Sequence, residues 1–271
     1  MFLSIVILSF NSSRHVEKCL NHVFESLKNI SKEAEVFVVE NGSSDSSLYI
    51  IDGFYKQFPE ILKVIKFERN TGTTYSRNAA LKQAKGDFIL VLDSDAYITA
   101  GAITMLINYL TEEPDAGMAV PRLFYGSGNY QISCDEFPTM WVKAKRFLFL
   151  KKMEQKGDSL RSVDKPTDVD YAISACWMLS RTCFESVGLL DEKIFYSPED
   201  VDYCIRVWQS GHKIMYVPDA NVVHDAQELS RGFKISKFHL SHLKGLFYLM
   251  WKHKYFWSST KLRRTSFSSK C

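Results

Sequence analysis

Two hydrophobic periods alternate along the first 110 residues. Phe2 to Leu8 is a short apolar run, the pattern of a buried strand, and Val16, Leu20, Val23 and Leu27 then mark one face of a helix. Val36 to Val39 reads as a second strand, and Ile50, Ile51, Phe54, Tyr55 and Phe58 as a second helix that Pro59 closes. Val64 to Phe67 is a third strand. A helix is expected from about Thr74 to Ala84, then the strand Phe88 to Leu92 and a helix from Gly101 to Leu110. This alternation predicts an α/β fold: a mainly parallel twisted sheet with right-handed crossovers and helices on both faces.

Beyond residue 110 the pattern loosens. Ala116 to Pro121, Ile214 to Val217 and Asn221 to Val223 suggest strands, Tyr171 to Leu179 is apolar, and Ser197 to Gln209 has good helix-end signals. Residues 124–168 are poor in pattern. From about Ser236 to Trp257 an amphipathic helix is expected, with Leu240, Leu243, Phe247, Met250 and Trp251 on one face and Lys237, Ser241, Lys244 and Lys252 largely on another. No repeat or low-complexity linker interrupts the chain. It reads as one domain over residues 1–230, its halves meeting near residue 110, plus a C-terminal helical appendage over 231–271. Met1 to Phe10 lacks a basic leader and a small-residue cleavage site, so a first strand is expected rather than a signal peptide.

Polar residues collect where the strands end. Ser9-Phe10-Asn11, Glu40-Asn41-Gly42-Ser43-Ser44-Asp45, Arg69-Asn70-Thr71-Gly72 and Asp93-Ser94-Asp95 follow the first four strands. Each alone is ordinary turn chemistry. In a parallel sheet, however, these ends share one edge, where open α/β sheets bind ligands. Asp93 and Asp95 repel each other unless a cation lies with them, and an oxygen-rich site with substrate phosphates suits Mg²⁺ or Mn²⁺. No Gly-x-Gly-x-x-Gly follows the first strand and no Gly-x-x-x-x-Gly-Lys-Ser/Thr occurs, which argues against a dinucleotide dehydrogenase and a P-loop NTPase.

Two further groups carry two readings each. In Ser197-Pro198-Glu199-Asp200-Val201-Asp202, Ser197 as N-cap and Asp200 three residues on form a capping box, with Asp202 and Arg206 pairing on the helix surface. Alternatively Asp200 accepts a proton from an attacking hydroxyl. His224, after Asn221-Val222-Val223, is a hydrogen-bonded structural residue or a metal ligand. The basic, aromatic segment Trp141 to Lys156 is a solvated loop or a lid over an anionic or lipid-linked substrate.

Composition adds little except in its distribution. The chain is 46% hydrophobic and 24% charged, typical of a packed domain, and its six cysteines form no Cys-x-x-Cys. Buried, reduced thiols are expected. Net charge is +3, but no acid follows Glu228, and the tail beyond it carries +10, leaving −7 on the rest. An acidic body with a basic tail suggests an anionic partner for the tail; residues 236–271 are either a helix packed on the body with its basic residues in water or one that meets an anionic membrane surface.

Taken together these segments resemble family 2 glycosyltransferases, especially the bacterial rhamnosyltransferase-like branch, from Phe2 to about Ser230. The carriers are Val6-Ile7-Leu8-Ser9-Phe10-Asn11, Val39 to Asp45, Asn70-Thr71-Gly72 with Ser76-Arg77-Asn78-Ala79-Ala80, and Asp93-Ser94-Asp95. Val187 to Phe195, Glu199-Asp200-Val201-Asp202, Gly211, Tyr216 to Ala220 and Val223-His224 follow in family order. The resemblance implies a GT-A fold and inverting transfer from a nucleoside-diphosphate sugar to a glycan or lipid-linked acceptor. It implies a nucleotide-binding half over 1–110 and an acceptor-binding half over 111–230. By position it implies Asp200 as catalytic base and Asp95 with His224 as ligands of Mg²⁺ or Mn²⁺. Ser9, Asn11, Glu40, Asn70, Arg77, Asp93 and Ser94 would bind the nucleotide sugar, and Trp177 and Glu199 would lie on the acceptor side. A cytoplasmic protein, peripheral on the inner face of the cell membrane, is expected, with no nucleic-acid partner. Three positions depart from the family pattern: Glu40 for Asp, Ser174 for Gly, and Asp225-Ala226-Gln227 after His224 without the usual Gly. The rivals are a non-catalytic nucleotide-sugar or glycan-binding protein and a sugar nucleotidyltransferase. The latter carries a Gly-rich basic loop that Ser9 to Arg14 lacks.

Overall fold

The computed structural model describes residues 2–30, 33–139, 159–226, 237–259 and 261–263. The expected alternation forms: β1 Leu3–Ser9, α1 Val16–Lys28, β2 Ala34–Asn41, α2 Ser47–Gln57, β3 Leu62–Phe67, α3 Thr73–Leu81, β4 Phe88–Asp93, β5 Ala96–Tyr97 and α4 Ala100–Glu112. The second half supplies β6 Ala116–Phe124, β7 Tyr130–Gln131, β8 Cys134–Asp135, β9 Thr167–Asp168, β10 Tyr171–Ala172, β11 Cys176–Ser180, α5 Arg181–Val187, α6 Glu199–Gln209, β12 Lys213–His224 and α7 Lys237–His253. The segment 141–156, read as a loop or lid, lies outside the described residues.

The main sheet runs β3-β2-β1-β4-β11-β6-β12-β5, with β7 on β6 and β9 on β12, while β8 and β10 pair separately. β3, β2, β1 and β4 are mutually parallel, so their four polar ends share one edge. The chain moves from β1 to β2 and β3 on one side and to β4 on the other, which opens a crevice at that edge. β11 runs antiparallel between β4 and β6. β12, expected as two short strands, is continuous; its ladder shifts register between Lys213 and Ile214 and again between Val217 and Asn221, around Pro218, which has no amide to donate.

Each sheet face carries its own core. Val16, Leu20 and Val23 of α1, Ile51 of α2 and Ile103 and Leu106 of α4 pack on one. Ala80 and Leu81 of α3, Cys183 of α5, Cys204 and Val207 of α6 and Leu249 and Met250 of α7 pack on the other. The five described cysteines are buried and none is in a disulfide.

α6 starts without the expected capping box. Pro198 precedes its first residue and no side chain caps it; the Asp200 carboxylate accepts the adjacent Val201 amide instead (2.8 Å). The expected Asp202–Arg206 pair forms (3.0 Å), but Asp202 is buried rather than on the surface, because α7 lies over it. Lys252 Nζ donates to Asp202 (2.7 Å) and Asp191 (2.6 Å), His253 Nε2 lies 2.8 Å from Asp202 Oδ1, and Tyr248 donates to Asp191 (2.8 Å). At Gly245 the helix touches the Ser197–Pro198 backbone so closely that a Cβ would strike it.

Burial alone would raise the Asp202 pKa, but the His253 hydrogen bond and the charges of Arg206 and Lys252 hold it at about 2. A carboxyl lowered in this way stabilises the fold above its unfolded pKa and loses that contribution as pH falls through its folded pKa. Asp202→Asn is therefore expected to cost about 2 kcal/mol near pH 7 in urea unfolding. The gap to the parent should close between about pH 4 and 2; a gap that persists at pH 2 contradicts the assignment.

Candidate active site

Asp93 ends β4 and Ala96 begins β5, so Asp93, Ser94 and Asp95 form the turn between them. The β5–β12 ladder sets His224 opposite Ala96. That register places the imidazole Nε2 3.4 Å from Asp95 Oδ1 and 3.9 Å from Asp93 Oδ2. One ligand atom from each of Asp93, Asp95 and His224 lies within 4.8 Å of the others. His224 Nδ1 lies 3.1 Å from Gln131 Oε1, an acceptor that keeps the proton on Nδ1 and turns Nε2 toward the acids. Gln131 has no signal in the sequence.

The electrostatics of this cluster favour a cation. Burial pushes the Asp93 pKa up against the pull of Arg77, and the charge of Asp95 adds to the rise. Burial would raise Asp95 too, but its hydrogen bond with His224 outweighs this and lowers it. For His224, burial is overcome by the Asp95 hydrogen bond and the charge of Asp93, and the pKa rises. These shifts are those of two facing carboxylates that require a compensating positive charge. Two carboxylate oxygens and an imidazole nitrogen are also a donor set that suits Mn²⁺ or Mg²⁺.

Arg77 of α3 sits behind this turn. It is 1% exposed, which corrects the expectation that it touches the nucleotide sugar. Its Nη2 donates to Asp93 Oδ1 and to the Ser174 carbonyl, and its Nη1 lies 3.7 Å from Glu199 Oε1. The Ser174 hydroxyl donates to the same Glu199 oxygen (3.0 Å). A buried cation therefore ties the Asp93 turn to the first residue of α6. Glu199, expected on the acceptor side, points inward to this bridge; burial and the neighbouring charge of Asp200 raise its pKa to about 8. Asp200 is only partly exposed, and burial raises its pKa to about 6. Trp177, also expected on the acceptor side, is buried in the core, stacked on Tyr203 and donating its indole N–H to the Ala172 carbonyl. It supports the wall and does not line it.

The segment before α6 is held against α3. Thr73 N and Thr74 Oγ1 donate to the carbonyls of Phe195 (2.7 Å) and Ile194 (2.6 Å), and Asn78 exchanges two hydrogen bonds of 2.9 Å with Leu190. Gly72 permits this approach: its φ is 86° and a Cβ there would collide with the Phe195 carbonyl.

The other strand ends are knitted to one another. Asn11, at φ 49°, accepts the Ser44 amide (2.8 Å), and its own amide donates to Ser43 Oγ (2.9 Å). Ser9 and Ser12 share a hydroxyl hydrogen bond of 2.7 Å. Glu40 accepts the Ser43 amide (2.7 Å), so its extra methylene reaches around the turn after β2. Asn70 accepts from the Gly72 amide (2.9 Å) and from Asn41 (3.1 Å). Ser94 is buried beside the acidic turn. The structure thus brings Ser9, Asn11, Glu40, Asn70, Asp93, Ser94, Asp95 and His224 to one sheet edge, with Arg77 and Glu199 linking Asp200 to it.

The model of the family described as Glycosyl transferase family 2 matches residues 4–188. The chain is 23% identical over 248 residues to the poly(ribitol-phosphate) beta-glucosyltransferase of Bacillus spizizenii, covering 87% of this chain and 37% of that protein. It is 22% identical to the N-acetylglucosaminyl-diphospho-decaprenol L-rhamnosyltransferase of Mycobacterium tuberculosis, covering 94% of this chain and 86% of that one. Against several other curated relatives it spans less than two thirds of their length. Among solved structures, the mannosyltransferase PcManGT of Pyrobaculum calidifontis, in complex with GDP-Man and Mn²⁺, superposes with a TM-score of 0.62 at 16% identity, covering 93% of this chain and 64% of that chain. The chain has the GT-A fold and belongs to glycosyl transferase family 2.

Proposed function

We propose that this chain transfers a hexose or deoxyhexose from a nucleoside-diphosphate sugar to a hydroxyl of a glycan or lipid-linked acceptor in one inverting displacement. One observation carries this reading: Arg77 joins the Asp93–Asp95–His224 cluster to the helix start that presents Asp200. A leaving-group site and a base are thereby held on one rigid bridge.

In this reading the loops after β1, β2 and β3 frame the nucleotide, with Ser9, Asn11, Glu40, Asn70 and Ser94 in the frame. Asp95 and His224, with Asp93, would hold Mg²⁺ or Mn²⁺, which when bound supplies positive charge to the departing diphosphate. Asp200 takes the proton from the acceptor hydroxyl as its oxygen bonds to the anomeric carbon. The bond from that carbon to the diphosphate oxygen breaks, and its electron pair leaves with the diphosphate. A single displacement inverts the anomeric centre. Glu199, kept largely protonated near pH 7, leaves Asp200 as the ionised carboxylate at the start of α6. A cytoplasmic location on the inner face of the membrane belongs with this reading. The relatives named for poly(ribitol-phosphate) and for a diphospho-decaprenol sugar are consistent with a phosphate-bearing acceptor.

The test is release of nucleoside diphosphate from a panel of UDP-, GDP- and dTDP-sugars, with and without Mn²⁺. Acceptor-dependent release from one donor class, lost on chelation and restored by Mn²⁺, is the expected result. Tight donor binding without turnover across the panel would instead favour a binding protein.

A further inference from the structure

The sequence pattern assigns one apolar face to α7, but the structure divides those residues in two. Leu246, Leu249 and Met250 are buried on the body, whereas Phe247 is 51% and Trp251 70% exposed. Phe247 and Trp251 are four residues apart and share the outward side of the helix. Just beyond, Tyr255 is buried while Trp257 is 69% exposed and Phe256 is also exposed. The helix therefore satisfies the core with one stripe and leaves a second set of large aromatics exposed, which packing among the described residues does not explain.

Basic residues surround these rings. Lys244, Lys254 and Lys193 are exposed, and none forms an ion pair among the described residues, unlike Lys252, which is held by Asp191 and Asp202. Trp251, Phe256 and Tyr248 line a cleft of about 610 Å³ with Lys193, Lys254 and Lys252. Its one acid, Asp191, is engaged by Tyr248 and Lys252. No acid occurs in the sequence after Glu228. Among the described residues no helix is long and apolar enough to cross a membrane. Exposed Trp and Phe interleaved with unpaired lysines on a helix lying along the body are the features of a segment resting in the headgroup region of a bilayer.

We propose that the outward face of α7, continued by Phe256 and Trp257, docks on an anionic lipid bilayer. Phe247, Trp251 and Trp257 enter the acyl–headgroup boundary, and Lys193, Lys244 and Lys254 meet lipid phosphates. The Asp191–Lys252–Asp202 bridge and the Gly245 contact fix this face relative to the Ser197–Asp202 segment. The proposal does not depend on the transfer reading, because binding is read without turnover.

The experiment is co-sedimentation of the full chain with vesicles of phosphatidylcholine alone and with about 30% phosphatidylglycerol. The expected result is binding to the anionic vesicles, with a blue shift of tryptophan emission. Phe247→Ser/Trp251→Ser/Trp257→Ser should weaken binding at least about tenfold at an unchanged Tm. Lys193→Glu/Lys254→Glu should abolish the preference for anionic lipid. Failure of the parent chain to bind, or an unshifted emission spectrum in its presence, overturns the proposal whether or not the variants fold. So does triple-variant binding equal to the parent, or a preference for a soluble anionic polymer over vesicles, which would make the face a glycan site.

Discussion

Asp200→Asn is expected to lower kcat for sugar transfer by about 10²–10⁴-fold while leaving donor affinity nearly unchanged. The amide keeps the shape of the carboxylate and its place at the start of α6, but it has no basic oxygen to accept a proton. In the proposed reading the donor is held by the loops after β1, β2 and β3 and by the Asp93 turn, so its binding does not rely on Asp200. The pH profile supplies an independent readout. Burial raises the Asp200 pKa to about 6, and only the ionised form accepts a proton. For the parent enzyme, kcat/KM should therefore fall about tenfold per pH unit below about pH 6 and level off above it. A cation bound at the neighbouring cluster favours the carboxylate and moves this limb lower. The residual activity of Asp200→Asn should lack the limb. Turnover by the variant within tenfold of the parent, or an unaltered acid limb, would remove Asp200 from the role of base.

Arg77→Met is expected to destabilise the protein by about 3–5 kcal/mol and to abolish activity in whatever fraction remains folded. The guanidinium is buried and serves Asp93, the Ser174 carbonyl and Glu199 together. Methionine fills part of the volume but leaves Asp93, with the charges of Asp95 and Asp200 near it, without a compensating cation. Nitrogens Nε and Nη1 of Arg77 have no hydrogen-bond partner among the described residues, so the arginine is held there for its charge more than for a full set of hydrogen bonds. A second substitution separates these effects. In Arg77→Met/Asp93→Asn one of the stranded charges is gone, and urea unfolding should recover about 1–2 kcal/mol of the loss. Strict additivity of the two substitutions would show that Arg77 does not act through Asp93.

Much of the polar sheet edge was legible in the sequence. Apolar runs of strand length, helical spacing between them and polar residues after each run are local signals, and the parallel order follows from their alternation. The strand ends at Asn11, Glu40, Asn70 and Asp93–Asp95 came from this reading, and they do lie together. The assignments that changed were those in which a side chain's neighbours come from far along the chain. Arg77 lies on a helix beside polar strand ends and reads as a ligand contact. It is buried because the segment Leu190–Phe195 closes over α3. Trp177 is three residues after Ser174 in sequence, but as part of a central strand its ring turns into the core. The capping box at Ser197 is a local exception: the Asp200 carboxylate accepts the adjacent Val201 amide instead.

By itself, then, the sequence determined the alternating α/β architecture, the row of polar strand ends and the presence of a basic, aromatic helix after the sheet. These depend on periodicities and turn preferences that act over a few residues. Only the tertiary structure decided that His224 joins Asp93 and Asp95, through the β5–β12 register, and that Arg77 bridges them to Glu199. It alone decided which aromatics of α7 enter the core and which face outward. Register and packing are chosen by contacts between residues far apart in the chain, and a one-residue shift in either would turn the same side chains to the opposite face.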